Sequence, residues 1–378
     1  MKITSMEPTP SPYSMKINLD EKLPDGKSEN YKATDMLEDA PPSYVQALFE
    51  VKGGVKGGIY RVVDFIALER DPKVAWEEIL PKVQNKLGSV EDLEESFTNQ
   101  KSSQSTDAFG EIQVFIQMFR FIPMQVKLEE GDIEKRFGLP DRFTEAALKA
   151  SADSDMLKER KWVEQSPRYG DINKIGLEVV EELSASYDQN RLNELLHFVD
   201  DASQGSFYHE VTIDMLDNPD WKARYAALDR MSPSLKDLPV LNKALDDEKA
   251  SIRRLATAYL GMIEEEEVLP YLYKALKDPA VNVRRTAGDC LSDLGFKQAM
   301  PEMIDSLSDK NRLVRWRAAM FLYELGDETA IPALKETLDD PEFEVRMQAK
   351  MALARIEEGE SAKGSIWQQM SDVTKKKP

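Results

Sequence analysis

A proline recurs with a fixed step of 31 residues at Pro239, Pro270, Pro301 and Pro332, each time after leucine, methionine or isoleucine. Two further columns keep that step. One is Arg253, Arg284, Arg315 and Arg346, with Arg224 two residues out of register; the other is Ala256, Ala287, Ala318 and Ala349, led by Ala227. A period of this length marks stacked helix-turn-helix units, none of which can bury its apolar face alone. Such arrays offer an extended surface to partners. That constraint points towards binding and away from catalysis.

Each unit reads as a short helix, a turn and a longer helix. Pro270 sits in the first turn of a helix, where its missing N–H costs nothing. Asp278-Pro279 marks the turn, and Gly295 and Gly326 stand where a helix is closed by a left-handed residue. Counting from the repeat arginine at 100° per residue, offsets −1, +3, +7 and +10 share one face, which in one repeat is Val283, Ala287, Leu291 and Leu294. Alanine at +3 lets neighbouring helices approach closely. The arginine column, paired with the turn aspartates, predicts charge-assisted staples between neighbouring repeats.

Offsets +1, +5 and +8 fall on the opposite side, and we expect them to line an open concave surface. They hold Arg254 and Arg285 in the middle repeats, then Trp316, Met320 and Tyr323, then Met347 and Met351. Large apolar and aromatic side chains in polar positions suggest a partner-binding strip. The competing reading is that the tail after Gly359 folds back and covers the strip with Ile366, Trp367 and Met370.

Charge and cysteine content narrow the chemistry. The 378 residues carry 69 acidic and 50 basic side chains, a net charge of −19. Phosphate binding needs a local excess of lysine and arginine, so a large nucleic-acid footprint is unexpected. A single cysteine, Cys290, permits no intrachain disulfide and no thiolate metal cluster, and only His197 and His209 offer imidazoles. Cys290 reads as a small core residue, and His209-Glu210 as a structural pair. No apolar run reaches the roughly 20 residues that span a bilayer. No apolar leader core is present, so we expect a cytoplasmic protein.

Residues 1–90 read as a small α/β domain. Met15, Ile17 and Leu19 alternate as a strand, and Val45, Leu48 and Phe49 follow helical spacing. Ile59–Leu68 is β-rich and broken at Asp64, as in a hairpin. Trp76, Ile79, Leu80, Val83 and Leu87 mark an amphipathic helix that Gly88 caps. The glycine run Gly53-Gly54-Val55-Lys56-Gly57-Gly58 lacks a phosphate loop's Gly-Lys-Ser/Thr ending and reads as a turn. Residues 96–108 are polar and linker-like. A middle region, residues 105–200, opens with the β-prone run 111–128, where Pro123 favours two short strands or an edge strand. Helices follow at 141–150, Ile172–Tyr187 and Asn190–Val199.

Thr9 to Ile17, Ala47 to Leu68 and Trp76 to Val83 resemble, in order and spacing, the N-terminal domain of Nfu/NifU-type scaffold proteins. That family's Cys-x-x-Cys pair is absent, so its cluster function is not implied. Asp278-Pro279, Val283-Arg284, Ala287 and Leu291 recur as Asp340-Pro341, Val345-Arg346, Ala349 and Leu353. This motif resembles the short HEAT-like repeat of the phycobilisome-lyase type, across residues 205–358. Together the two resemble the conserved virulence factor C family of Gram-positive bacteria. The expected fold is therefore α+β: a small Nfu-N-like domain, a mixed middle region, about five HEAT-like repeats as an α-solenoid, and a tail at 359–378. The expected function is a non-catalytic scaffold that binds a protein or peptide and holds no cofactor or metal. The rival is a cofactor-handling protein, associated with iron–sulfur assembly or acting as a bilin-lyase-like enzyme.

Overall fold

The computed structural model describes residues 1–9, 13–24, 27–32, 41–51, 55, 58–71, 74–89, 111–131, 133–152, 155–196 and 208–358. The linker at 96–108, most of the glycine run, His197 and the tail at 359–378 lie outside the described residues. The chain is α+β and divides into two compact units, residues 1–109 with 303–378 and residues 110–302.

The first unit begins with β1 (Ile3–Pro8), β2 (Ser14–Leu19), β3 (Ser28–Tyr31), α1 (Ser43–Phe49), β4 (Gly58–Val62), β5 (Phe65–Glu69) and α2 (Trp76–Leu87). The strands form an antiparallel sheet in the order β1-β2-β5-β4-β3. The hairpin expected at Asp64 joins β4 to β5, and it turns through Val63 at φ 48°. That left-handed conformation is costly for a β-branched residue. Gly88 closes α2 at φ 76°. Met15, Ile17, Val45, Leu48, Trp76, Ile79, Leu80 and Val83 all enter one core.

The second unit opens with β6 (Glu111–Phe119), β7 (Ile122–Glu130), β8 (Ile133–Gly138), α3 (Asp141–Ala150), α4 (Met156–Glu159), β9 (Lys161–Tyr169), α5 (Ile172–Ser186) and α6 (Gln189–Leu195). Its antiparallel sheet runs β8-β7-β6-β9. The run 111–128 is indeed two strands, but long ones, and β7 lies inside the sheet despite Pro123. The proline is tolerated because it stands at the start of the strand, beside a register shift at Gln117/Met118. The Phe137 ring lies where a Cβ on Gly176 would be, 2.2 Å away, so α5 crosses the sheet at that glycine.

Repeat helices complete both units: α7 (Trp221–Asp229), α8 (Leu238–Ala244), α9 (Ala250–Gly261), α10 (Leu269–Ala275), α11 (Val281–Leu294), α12 (Met300–Ser306), α13 (Arg312–Leu325), α14 (Ile331–Thr337) and α15 (Phe343–Glu358). The expected inner face holds at Val283, Ala287 and Leu291, which are fully buried, while Leu294 at the end of α11 is half-buried. Ala256, Ala318 and Ala349 are also fully buried, whereas Ala227 at the head of the column is half-buried. A Cβ on Gly261 would stand 2.3 Å from the Cys290 Sγ, which shows how closely α9 and α11 approach. Cys290 is a core residue, and desolvation pushes its thiol up to about 12. Gly295 adopts the left-handed cap at φ 68°. Gly326 does not; it is extended, and its role is space, since a Cβ there would meet the Leu322 carbonyl at 2.3 Å.

The staples form between repeats. In the second unit Arg224 grips Asp247 at 2.7 and 3.0 Å, and Arg253 grips Asp278 at 2.7 and 3.0 Å. In the first unit Arg315 grips Asp340 at 2.6 and 3.0 Å. Each arginine also donates to carbonyls of its own turn: Arg253 to Asp247 and Arg284 to Asp278, at 2.8 and 2.9 Å. The carboxylate of Asp278 therefore belongs to Arg253 of the preceding repeat, while Arg284 donates to the Asp278 and Pro279 carbonyls of its own turn. R253A should expose this arrangement by stranding a carboxylate that is nearly buried. We expect a loss of about 3 kcal/mol in urea denaturation, with R253K recovering part of it. Equal stability of R253A and wild type would show that the staple is dispensable.

Candidate functional site

The +1 offset of the repeats is the column that meets the rest of the chain. Tyr225 on α7, Arg254 on α9, Arg285 on α11, Trp316 on α13 and Met347 on α15 occupy it in turn. Tyr225 escaped the sequence reading because Arg224 is out of step with the other repeat arginines.

In the second unit this column faces β9 and α5. The Arg285 guanidinium lies 3.5 Å from the centroid of the Tyr169 ring, and the Tyr169 hydroxyl donates to Glu111 at 2.9 Å. Arg285 also pairs with Asp289 at 3.1 Å. Arg254 reaches Glu182 at 3.3 Å, and Arg168 clamps the same carboxylate at 2.6 and 3.3 Å. Burial alone would raise the Glu182 pKa, but Arg254 and Arg168 outweigh it and hold the carboxyl below its ordinary value. The sequence carried a sign of this site. Glu182 lies on the stripe of Ile175, Val179 and Ser186, so a charge stands on the apolar face of α5.

Beside Glu182 opens a cleft of about 870 Å³. Val114, Ile116 and Met118 of β6 and Val163 of β9 form its floor. Leu183 and Tyr187 of the α5 end, Tyr225 and Asp229 of α7 and Arg254 of α9 stand opposite. Tyr225 is 4% exposed, and desolvation, then Glu182, push its pKa well above the ordinary value, so its hydroxyl keeps its proton. Arg120 of the β6–β7 turn, at φ 52°, pairs with Glu159 at 3.3 Å, and Arg191 pairs with Asp229 at 2.9 Å.

In the first unit the +1 column is closed. Phe343 joins the core of the N-terminal sheet domain, and Met347 packs against it. Two ion pairs flank this contact: a buried one, Arg70 with Glu344 at 3.1 Å, and a half-buried one, Arg346 with Glu77 at 3.2 Å. Desolvation lowers the Arg70 pKa and raises that of Glu344. The expectation of an open strip is corrected here. Trp316 is 2% and Met320 8% exposed, while Tyr323, Met347 and Met351 are half-buried. The physical reason is that α13 buries residues nearly all round, Ala319 included, so offsets opposite the first apolar face are not solvent-facing. The residues of the covering tail lie outside the described ones. His209 is half-buried; desolvation, then Arg230, lower its pKa, and its backbone N–H donates to the Arg230 carbonyl. Among the described residues no group of His, Cys, Asp and Glu could hold a metal ion, and no helix is long and apolar enough to cross a membrane.

An Nfu-type sheet domain joined to repeat helices defines the class, and the comparisons with known proteins bear on it directly. The chain matches the Nfu/NifU N-terminal scaffold family over residues 3–91, a virulence factor family over 117–196, and HEAT repeats over 210–287 and 272–354. It is 56% identical over 388 residues to YpgR of Bacillus subtilis (strain 168), covering 100% of both chains. It is 42% identical over 275 residues to Conserved virulence factor C of Staphylococcus haemolyticus (strain JCSC1435), covering 71% of each. Among solved structures, the CpcE–CpcF complex of phycocyanin lyase from Nostoc sp. PCC7120 is similar over 27% of this chain and 42% of that one, at 31% identity and TM-score 0.25. The protein belongs to the conserved virulence factor C family.

The Glu182 cluster sets a pH dependence whose sign follows from its titration. A carboxyl that titrates below 4.5 when folded stabilises fully above that pH, and the contribution fades as pH falls through the folded titration. E182Q should cost about 3 kcal/mol at pH 7, because two guanidiniums lose their buried anion. The gap to wild type should close below pH 4.5, read by urea denaturation at each pH. A gap that stays constant with pH would show that Glu182 is not ionised in the fold. Cys290, in turn, should resist a thiol-reactive dye in the native protein at pH 8 and react only on unfolding.

Proposed function

We propose that the protein is a non-catalytic scaffold of the cytoplasm whose HEAT-like repeats hold a segment of a partner polypeptide. One observation carries this reading: the +1 column of the first repeats, Tyr225 and Arg254, opens onto a cleft instead of being fully occupied by the chain itself. Repeat arrays commonly engage partners on a face of this kind. In the same column Arg285 and Met347 already hold folded parts of the same chain, which supports a docking role for the array.

A cofactor-handling role is the second reading, favoured by the volume of the cleft, which falls within the range of small-molecule sites. Two measurements separate them. A photo-crosslinking residue in place of Gln165, exposed at the cleft, should capture a discrete partner in the native cell. The same residue at Met262, 63% exposed and not among the cleft-lining residues, should not. Identical products from both positions, or none from Gln165, would count against the scaffold. A stoichiometric chromophore or iron in the purified protein, by absorbance and elemental analysis, would favour the second reading.

A further inference from the structure

We propose that the cleft of the second unit selects an extended partner segment in which acidic side chains alternate with apolar ones. The inference rests on the scaffold reading and adds the chemistry of the partner. It comes from the difference between the two sides of the cleft.

The floor is one face of two paired strands, and β9 is the edge strand of its sheet. Val114, Ile116, Met118 and Val163 present aliphatic surface there. An extended chain laid along such a floor points successive side chains to opposite sides. Alternate residues then meet the strands, and the residues between them meet the helices.

The helical side asks for an anion. Around Glu182 two guanidiniums face one carboxylate, and Glu178, which also acts on Arg168, does not line the cleft, so the lining groups carry a positive excess. Lys161, exposed at the rim, has no ion pair among the described residues. The remaining charges cancel, since Glu159 is held by Arg120 and Asp229 by Arg191. The cleft is thus locally cationic on a chain of net charge −19. At physiological salt, screening over about 8 Å makes those near groups outweigh the distant acidic surface.

Tyr225 provides the second, independent sign. Its side chain is more than nine-tenths buried and lines the cleft, yet its hydroxyl makes no hydrogen bond among the described residues. A phenol that keeps its proton is a donor, and this one lines the cleft with no acceptor from the described chain. A carboxylate entering from the cleft would supply the acceptor, with Arg254 and Lys161 supplying charge.

Fluorescence anisotropy with the full-length protein tests this. The probes are two labelled heptapeptides with blocked ends, one alternating leucine with glutamate and one alternating leucine with glutamine. We expect the glutamate peptide to bind at least about tenfold more tightly, an advantage that shrinks as salt rises. Y225F should cut that advantage about fivefold while leaving the glutamine peptide unaffected. K161Q, at an exposed position that cannot unsettle the core, should cut it too and flatten the salt dependence. V163W, which fills the floor, should abolish binding of both peptides.

If both peptides bind equally and V163W blocks both, the cleft holds a partner but does not select acids, and the present inference falls alone. If neither peptide binds, or V163W leaves binding intact, the scaffold reading of the cleft falls with it. Where neither peptide binds, a rise in melting temperature with octanoate that V163W abolishes would assign the cleft to a small organic acid and overturn the inference.

Discussion

One carboxylate per repeat carries two structural duties, and the repeat stack depends on both. The Asp278 Oδ1 accepts the backbone N–H of Ala280 at 2.7 Å, which fixes the turn ahead of α11. The same group receives the Arg253 fork from the repeat before it. Asp247 and Asp340 repeat the arrangement with Lys249 and Glu342 as the backbone donors. At these three aspartates the turn that starts the long helix is therefore the point at which the previous helix is anchored. Planar guanidinium geometry makes the anchor directional, so it sets how far one helix can rotate against the next. The alanines behind it let the helices close to that spacing. Local turn chemistry and inter-repeat geometry agree, which is what a fixed 31-residue period requires.

Such a period is legible because it repeats one physical problem. Proline, aspartate, arginine and alanine each recur at the step where that problem recurs, and the structure places them in the roles that their chemistry suggests. The N-terminal domain was legible for a different reason. Its strands and helices are short, strongly patterned and each buried on one side, as at Met15, Ile17 and Leu19. Strands β8 and β9 were hidden because their residues alternate weakly: Lys161–Tyr169 is mostly exposed or half-buried and carries a proline.

The +1 column shows where helical-wheel reasoning ends. A wheel divides a helix into a buried and an open side, and it assumes that only one neighbour covers it. On α13 that assumption fails, and Trp316 and Met320 are buried on the side expected to be open. The wheel singled out a column whose members contact other parts of the chain, as Arg285 and Met347 do. What it could not give was the occupant, because the occupants of Arg285 and Met347 are distant parts of the same chain. Glu182 and Tyr225 needed the same long-range knowledge: one looks like a stray charge on an apolar stripe, the other like an ordinary core aromatic.

The chain's own domains dock on its repeats through ion pairs as well as apolar contacts, and this choice has a physical consequence. A buried pair such as Arg70–Glu344 gains little net stability, since desolvating both charges offsets most of their attraction. Its value lies in rejecting alternatives: any other register of α15 against the sheet domain would leave Glu344 or Arg70 buried without its counter-charge. The Arg168–Glu182–Arg254 cluster imposes the same condition between α5, β9 and α9. Apolar surface alone would let these elements slide. Charges fixed at single points hold the floor of the cleft opposite its helical wall, and that alignment lets Tyr225 and the strand residues line the same cleft.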